Sequence, residues 1–221
     1  MQLDINANIM DINNTYAAKN RSLLASKRIL TLNIMGSPGA GKTTLLERLL
    51  AILQPKLQIA VIEGDLATAR DADRIAALGA DVIQINTDGA CHLDAKMISQ
   101  VLGGFDFEQL DLLIIENVGN LVCPAGFDLG EDLRLVVMSV AEGSDKPAKY
   151  PGAFLAADWL ILTKMDLLEY LDFDLEGALA DVKNIKPTIK IFPTFCSKKG
   201  VSGLDAVADA LMELVCAKKE Q

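Results

Sequence analysis

Histidine is nearly missing from this chain: His92 is the single imidazole among 221 residues. The four cysteines, Cys91, Cys123, Cys196 and Cys216, form no Cys-x-x-Cys pair, and one histidine forms no His-x-x-x-His pair. A short, self-contained metal motif is therefore excluded. Long apolar runs are also lacking, which excludes a membrane-spanning helix of about 20 residues. Basic charge is scarce: 21 Lys and Arg stand against 30 Asp and Glu, a net charge of −9. That argues against a nucleic-acid partner, which needs a basic face. No Pro/Gly/Ser-rich linker, internal repeat or low-complexity stretch divides the chain, so one main domain is expected. The opening MQLDINANIMDINN has no signal-peptide pattern, and a cytoplasmic location is expected. There a disulfide framework is not expected. The cysteines remain as metal ligands, catalytic groups or buried hydrophobes.

Hydrophobic residues make up 51% of the chain, enough for a sizeable core. Residues 1–27 are polar with scattered apolar positions and are expected as an N-terminal helical arm. From 28 to 221 short apolar runs alternate with helical stripes. Strands are expected at Ile29–Met35, Gln58–Glu63, Asp81–Ile85, Leu112–Ile115, Leu133–Val140, Trp159–Leu162 and Ile189–Pro193. Helices are expected at Lys42–Leu53, about Ala69–Leu78, Leu93–Leu102, Leu175–Ile185 and Gly203–Lys218. Continuous apolar strands between helices imply an α/β fold: three layers, with a mostly parallel central sheet of about seven strands covered on both faces. In such a sheet ligands bind beyond the carboxyl ends of the strands.

The strongest motif is G-x-x-x-x-G-K-[ST], matched by Gly36-Ser37-Pro38-Gly39-Ala40-Gly41-Lys42-Thr43, with an apolar strand before it and an amphipathic helix after it. Backbone N–H groups of such a loop wrap phosphates, the lysine adds charge near the β- and γ-phosphates, and the Thr hydroxyl reaches Mg²⁺. Gly36, Pro38, Gly39, Ala40, Gly41, Lys42, Thr43 and Thr44 are the expected phosphate contacts, and Lys42 and Thr43 the expected catalytic residues. Mg²⁺ needs a carboxylate from a later strand end. Asp65 and Glu116 are the candidates, each also explicable as a strand-end charge. Asp71 and Asp73 are expected as solvated helix-face charges.

Thr163-Lys164-Met165-Asp166 follows the sixth expected strand and is similar to the Asn-Lys-x-Asp guanine-recognition motif. Asp166 would accept from the two donors that guanine presents and adenine lacks, with the Lys164 stem packed over the base. Thr163 departs from the motif at its Asn, which normally ties the loop together. Ser197, in Cys196-Ser197-Lys198-Lys199, lies where a second base-contacting loop would fall.

Cys91 and His92 follow the third expected strand, and Cys123 lies seven residues beyond Glu116, where a γ-phosphate-sensing switch is expected. Thiolate and imidazole suit Zn²⁺, Ni²⁺ or Cu⁺. Spacing alone leaves open that the cysteines are buried hydrophobes and His92 a structural residue. Three ligands leave a tetrahedral metal short by one, to be supplied by water or by a second subunit. Cys196 and Cys216 have no ligand neighbours in sequence and are expected to be structural.

Taken together, Gly36–Thr44, Glu63-Gly64-Asp65, Arg70–Ile75, Gln84–Thr87, Cys91-His92-Leu93-Asp94-Ala95, Glu116–Pro124 and Asp145–Pro151 resemble the HypB-type GTPases, the nickel-insertion proteins of hydrogenase maturation. The resemblance implies a slow GTPase using GTP and Mg²⁺, and a homodimer whose metal site holds Ni²⁺ or Zn²⁺ on Cys91, His92 and Cys123. It implies other hydrogenase-maturation proteins and the hydrogenase large-subunit precursor as partners. Some members carry an N-terminal cysteine cluster or histidine-rich stretch. This chain has no cysteine before Cys91 and no histidine before His92, which counts against nickel storage. A urease-type nickel GTPase is the nearer alternative, but that family has Cys-Pro-His where this chain reads Cys123-Pro124-Ala125. A P-loop small-molecule kinase or an inert scaffold are the more distant ones.

Overall fold

The structure, a computed structural model, describes residues 5–65, 74–197 and 200–220, excepting the side chains of residues 5–8 and 65. The seven expected strands form: β1 (Leu30–Gly36), β2 (Ile59–Asp65), β3 (Asp81–Asn86), β4 (Leu112–Glu116), β5 (Leu133–Ser139), β6 (Trp159–Thr163) and β7 (Lys190–Pro193). They make one sheet in the order β3-β2-β4-β1-β5-β6-β7. Every pairing within it is parallel. β1, β4 and β6 are buried at every position, as strands covered on both faces must be.

The helices are α1 (Ile5–Ser26), α2 (Lys42–Leu53), α3 (Ala95–Val101), α4 (Lys146–Lys149), α5 (Pro151–Ala156), α6 (Leu175–Ile185) and α7 (Leu204–Lys219). Leu45, Leu46, Leu49, Leu50 and Leu53 of α2 join Val207, Leu211 and Val215 of α7 in one core against alternate strand residues such as Leu32, Ile34 and Leu135. The opposite face carries two clusters. Leu24, Leu93, Ile98 and Leu102 cover Ile62 and Ile115. Phe154, Ala178 and Val182 cover Val136 and Leu160. Burying a leucine here contributes about 1.5–3 kcal/mol.

Some elements were not apparent from periodicity. A hairpin of β8 (Phe195–Ser197) and β9 (Gly200–Ser202) follows β7, and α4 and α5 fill the Asp145–Pro151 region. The third expected helix starts two residues late, because the Asp94 side chain caps it by accepting from Met97 N at 2.7 Å. Of the helix expected over 69–78, residues 74–76 are helical, and residues 69–73, with Asp71 and Asp73, lie outside the described residues. So do Lys198 and Lys199. Among the described residues no helix is long and apolar enough to cross a membrane.

Because all seven strands run one way, Gly36, Asn86, Glu116, Ser139 and Thr163 end on one edge. β1 lies between β4 and β5, so the loop after β1 sits where the chain winds off in both directions, the usual place for a ligand in an open α/β sheet.

Candidate nucleotide and metal site

A cavity of about 460 Å³ opens over the phosphate loop. The loop leaves β1 through Gly39 (φ 77°) and Gly41 (φ 98°), left-handed positions that favour glycine. Gly41 then starts α2, so the helix N-terminus faces the cavity, a ready anion site. Lys42 is buried, and its Nζ donates to the carbonyls of Gly36 at 3.3 Å and Ser37 at 3.4 Å. The Thr43 hydroxyl meets Glu116 Oε1 at 2.8 Å. Pro38, Gly39, Gly41, Lys42, Thr43, Thr44, Glu116 and Lys164 all line the cavity.

The acid beside Glu116 is Glu63. It pairs in register with Glu116 across β2 and β4, is equally buried, and lines the same cavity. Asp65 ends β2 two residues on, and its side chain is outside the described residues. A hydroxyl and two buried carboxylates are a hard oxygen donor set that fits Mg²⁺. Adjacent buried carboxylates repel, and a divalent cation offsets that repulsion. Arg74 also lines the cavity and pairs with Glu47 through two bonds, at 2.8 and 2.9 Å. Glu63 and Arg74 were not singled out from the sequence. The sign that pointed to Glu63 is its place in Glu63-Gly64-Asp65, which becomes decisive only when β2 is known to lie beside β4.

A smaller cavity of about 90 Å³ adjoins, lined by Gly41, Thr44, Leu45, Thr163, Lys164, Thr194 and Cys196. Thr163 does the tying that an Asn would do: its hydroxyl donates to Ala40 O at 2.6 Å. Lys164 is left-handed (φ 58°), and its Nζ donates to Gly39 O at 2.8 Å. Asp166 lies in the turn after Lys164, outside the cavity lining but close enough to raise the Cys196 thiol pKa, a shift led by burial and opposed by Arg48. Ser197 is half-buried in β8. Cys196, expected as a structural residue, is partly packed on the core and also walls this cavity. Cys216 is exposed on α7.

Cys91, His92 and Cys123 converge: their ligand atoms all lie within 4.8 Å of one another. Cys91 Sγ is 3.5 Å from His92 Nδ1. A hydrogen bond with Cys123, then burial, raises the Cys91 thiol pKa. Burial lowers that of His92, against the opposing pull of Asp94, and favours the neutral imidazole that ligates metals. The His92 ring lies on Phe127, centroids 4.0 Å apart. Phe127 is held by Arg134, whose guanidinium donates to Ala125 O at 3.3 Å and Phe127 O at 3.2 Å.

The Cys91–His92–Cys123 cluster and the cavity over the phosphate loop share a wall. Asn117, Val118 and Gly119 line the cavity. Asn117 Oδ1 accepts from Leu93 N, next to His92, at 3.1 Å. Asn120 bridges to Gly36 and donates to Cys91 O at 3.3 Å. Leu93 packs so tightly on cavity-lining Gly64 that a Cβ there would fall 2.7 Å from it.

A parallel sheet with this loop after its central strand defines a P-loop nucleotide-binding protein, here with a cysteine–histidine cluster on the adjoining loops. The CobW/HypB/UreG nucleotide-binding domain profile matches residues 30–193. Hydrogenase maturation factor HypB of Escherichia coli K12 is 45% identical over 215 residues, 97% of this chain and 73% of that protein. The crystal structure of hydrogenase maturation factor HypB from Archaeoglobus fulgidus superposes with TM-score 0.86 at 39% identity, covering 93% of this chain and 99% of that one. That of HypB from Helicobacter pylori in complex with nickel gives 0.84 at 40% identity, over 94% and 95%. The chain belongs to the CobW/HypB/UreG family, among its HypB members.

Proposed function

We propose that this chain is a GTP-hydrolysing metallochaperone that binds nickel, or zinc, and supports nickel insertion into a [NiFe] hydrogenase precursor. The observation that carries this is the convergence of Cys91, His92 and Cys123 on segments that also wall the phosphate cavity. The HypB relatives, one of them solved in complex with nickel, support nickel as the cargo. The phosphate loop binds the nucleotide, Asp166 and Lys164 select guanine, and Lys42 balances charge on the γ-phosphoryl group. Thr43 and Glu116, with Asp65 or Glu63, hold Mg²⁺, which neutralises charge on the β- and γ-phosphates. Turnover is slow and acts as a timing step. The γ-phosphate orders the 117–123 segment, the homodimer and its metal site form, and loss of the γ-phosphate changes both. Water or a second subunit supplies the fourth ligand. The protein works in the cytoplasm with other maturation proteins and the hydrogenase large-subunit precursor, without nucleic acid or membrane.

The test is a Ni²⁺ titration of the nucleotide-free protein and of the protein with a non-hydrolysable GTP analogue, with oligomeric state measured in the same samples. The proposal expects different nickel affinity or stoichiometry in the two states, and more dimer with the analogue. Equal values in both would overturn the coupling. A competition between GTP and ATP tests the guanine assignment, and an ATP preference would overturn it.

A further inference from the structure

Among its described side chains, helix α1 contributes little apolar surface to the core. Leu24 and Ala17 are buried, while Ile9, Ile12 and Leu23 stay exposed. It buries two asparagines instead, Asn13 (4% exposed) and Asn20 (1%). They are seven residues apart, two turns, and so share a helix face. A buried amide is costly unless its hydrogen bonds are met. Here the hydrogen bonds of both side chains go to the backbone of the same two segments. Asn13 Oδ1 accepts from Ala95 N at 2.9 Å, and its Nδ2 donates to Asp128 O at 2.8 Å. Asn20 Nδ2 donates to Ala95 O at 2.8 Å and to Leu129 O at 3.0 Å. Arg21 adds an ion pair with Asp128 at 2.7 Å. The 128–130 loop lies flush on the helix: a Cβ on Gly130 would fall 2.7 Å from Ala17 O.

These two segments are the flanks of the metal cluster. Ala95 is three residues beyond His92. Asp128 adjoins Phe127, the ring on which His92 lies. Cys123 precedes Phe127 through the tight turn Pro124–Gly126. The α1 asparagines therefore bridge the segment that follows His92 and the one that follows Phe127. Hydrophobic packing tolerates sliding, whereas directional bonds to backbone atoms hold one spacing.

Building on the metal assignment above, we infer that α1 is a strut of the metal site, and that Asn13 and Asn20 are positioning residues acting on the metal through the His92–Phe127 contact. Groups that orient a ligand typically change metal affinity by about 10–100-fold.

The experiment is a Ni²⁺ titration of four nucleotide-free proteins: the parent, the Asn13→Ala/Asn20→Ala pair, His92→Ala, and all three changes together. The strut expects the asparagine pair to weaken nickel by at least about tenfold. It expects no further loss when the pair is added to His92→Ala, because both act through one ligand. GDP affinity should be unchanged, since α1 touches no residue of the phosphate loop in these bonds. Unchanged nickel affinity in the asparagine pair, alongside a weakened His92→Ala protein, overturns the strut and leaves the metal assignment standing. Full additivity also overturns it, by showing that the pair acts independently of His92. An unaffected His92→Ala protein overturns both. If the pair fails to fold, Asn13→Ala alone, with the Asn20 bonds intact, is read by the same criteria.

Discussion

The backbone N–H of Leu93 donates to the Asn117 side chain at 3.1 Å, and Asn117 at the same time lines the phosphate cavity. One buried amide thus touches the residue next to His92, on a residue that itself directly follows Glu116. Its Nδ2 continues to Asn33 Oδ1 at 3.3 Å, and Asn33 continues to Glu131 at 3.1 Å. Asn117→Ala leaves the Leu93 N–H and the Asn33 oxygen short of a partner, at a cost of about 1–3 kcal/mol. The nucleotide-dependent change in nickel affinity should shrink. Denaturant unfolding measures the first effect and paired metal titrations the second. A coupling as large as the parent's would refute the role.

Cys91→Ala, His92→Ala and Cys123→Ala should each weaken Ni²⁺ binding by more than the roughly 10–100-fold typical of changes outside the ligand shell. GDP affinity should hold in all three. Calorimetry reads both quantities. If Cys123→Ala bound nickel as the parent does, the three-ligand cluster would be wrong.

Glu116→Gln keeps a partner for the Thr43 hydroxyl but removes a charge from the oxygen set beside it. The Mg²⁺ concentration needed for half-maximal GTP turnover should rise, while GDP affinity without Mg²⁺ stays level. Glu63→Gln should raise the requirement in the same direction, because Glu63 stands in register with Glu116. An unchanged requirement in both would show that Mg²⁺ is held elsewhere.

Thr163→Val keeps the shape and deletes the hydroxyl that meets Ala40 O at 2.6 Å. A buried carbonyl then loses its partner at about 1 kcal/mol, or roughly fivefold in nucleotide affinity. Fluorescent GDP titration measures it. A Thr163→Val protein with parental affinity would mean that the loop holds its shape without this tie.

Burial works to raise the Asp128 pKa, but hydrogen bonds from Arg21 and from Gly130 N–H overcome it and hold the carboxyl below its ordinary value. A depressed folded-state pKa contributes stability that is fully present above the unfolded value of about 3.9 and is lost as pH falls through the folded value. Both side chains are a third or more exposed, so the pair is worth only about 0–1 kcal/mol. Unfolding midpoints of parent and Asp128→Asn should differ at pH 7 and converge in acid, at pH values below the usual carboxylate range. A difference that persisted unchanged into acid would mean that the charge on Asp128 is not what matters.

Much of this protein is written locally in its chain. The apolar run before Gly36 and the leucine stripe after Thr43 specify strand, loop and helix within 25 residues, because each signal is a short-range periodicity. The alternation of apolar runs and stripes likewise implies the parallel three-layer fold. The candidate ligand types are also legible: two thiols and an imidazole suit Zn²⁺, Ni²⁺ or Cu⁺. Their convergence could be stated only through family resemblance, since Cys91 and Cys123 are 32 positions apart.

Tertiary structure decided the rest, because strand order and cross-segment bonding leave no local pattern. Glu63 joins the cavity only because β2 lies beside β4 in register. The Thr163 hydroxyl ties its loop to Ala40 only because the end of β6 lies against the phosphate loop. Asn13 and Asn20 look like ordinary polar helix residues until the fold brings Ala95 and Asp128 to the same helix face. The sequence by itself determined which groups the protein carries and the scaffold that orders them. Which of those groups face one another was settled by packing, through contacts between residues far apart along the chain.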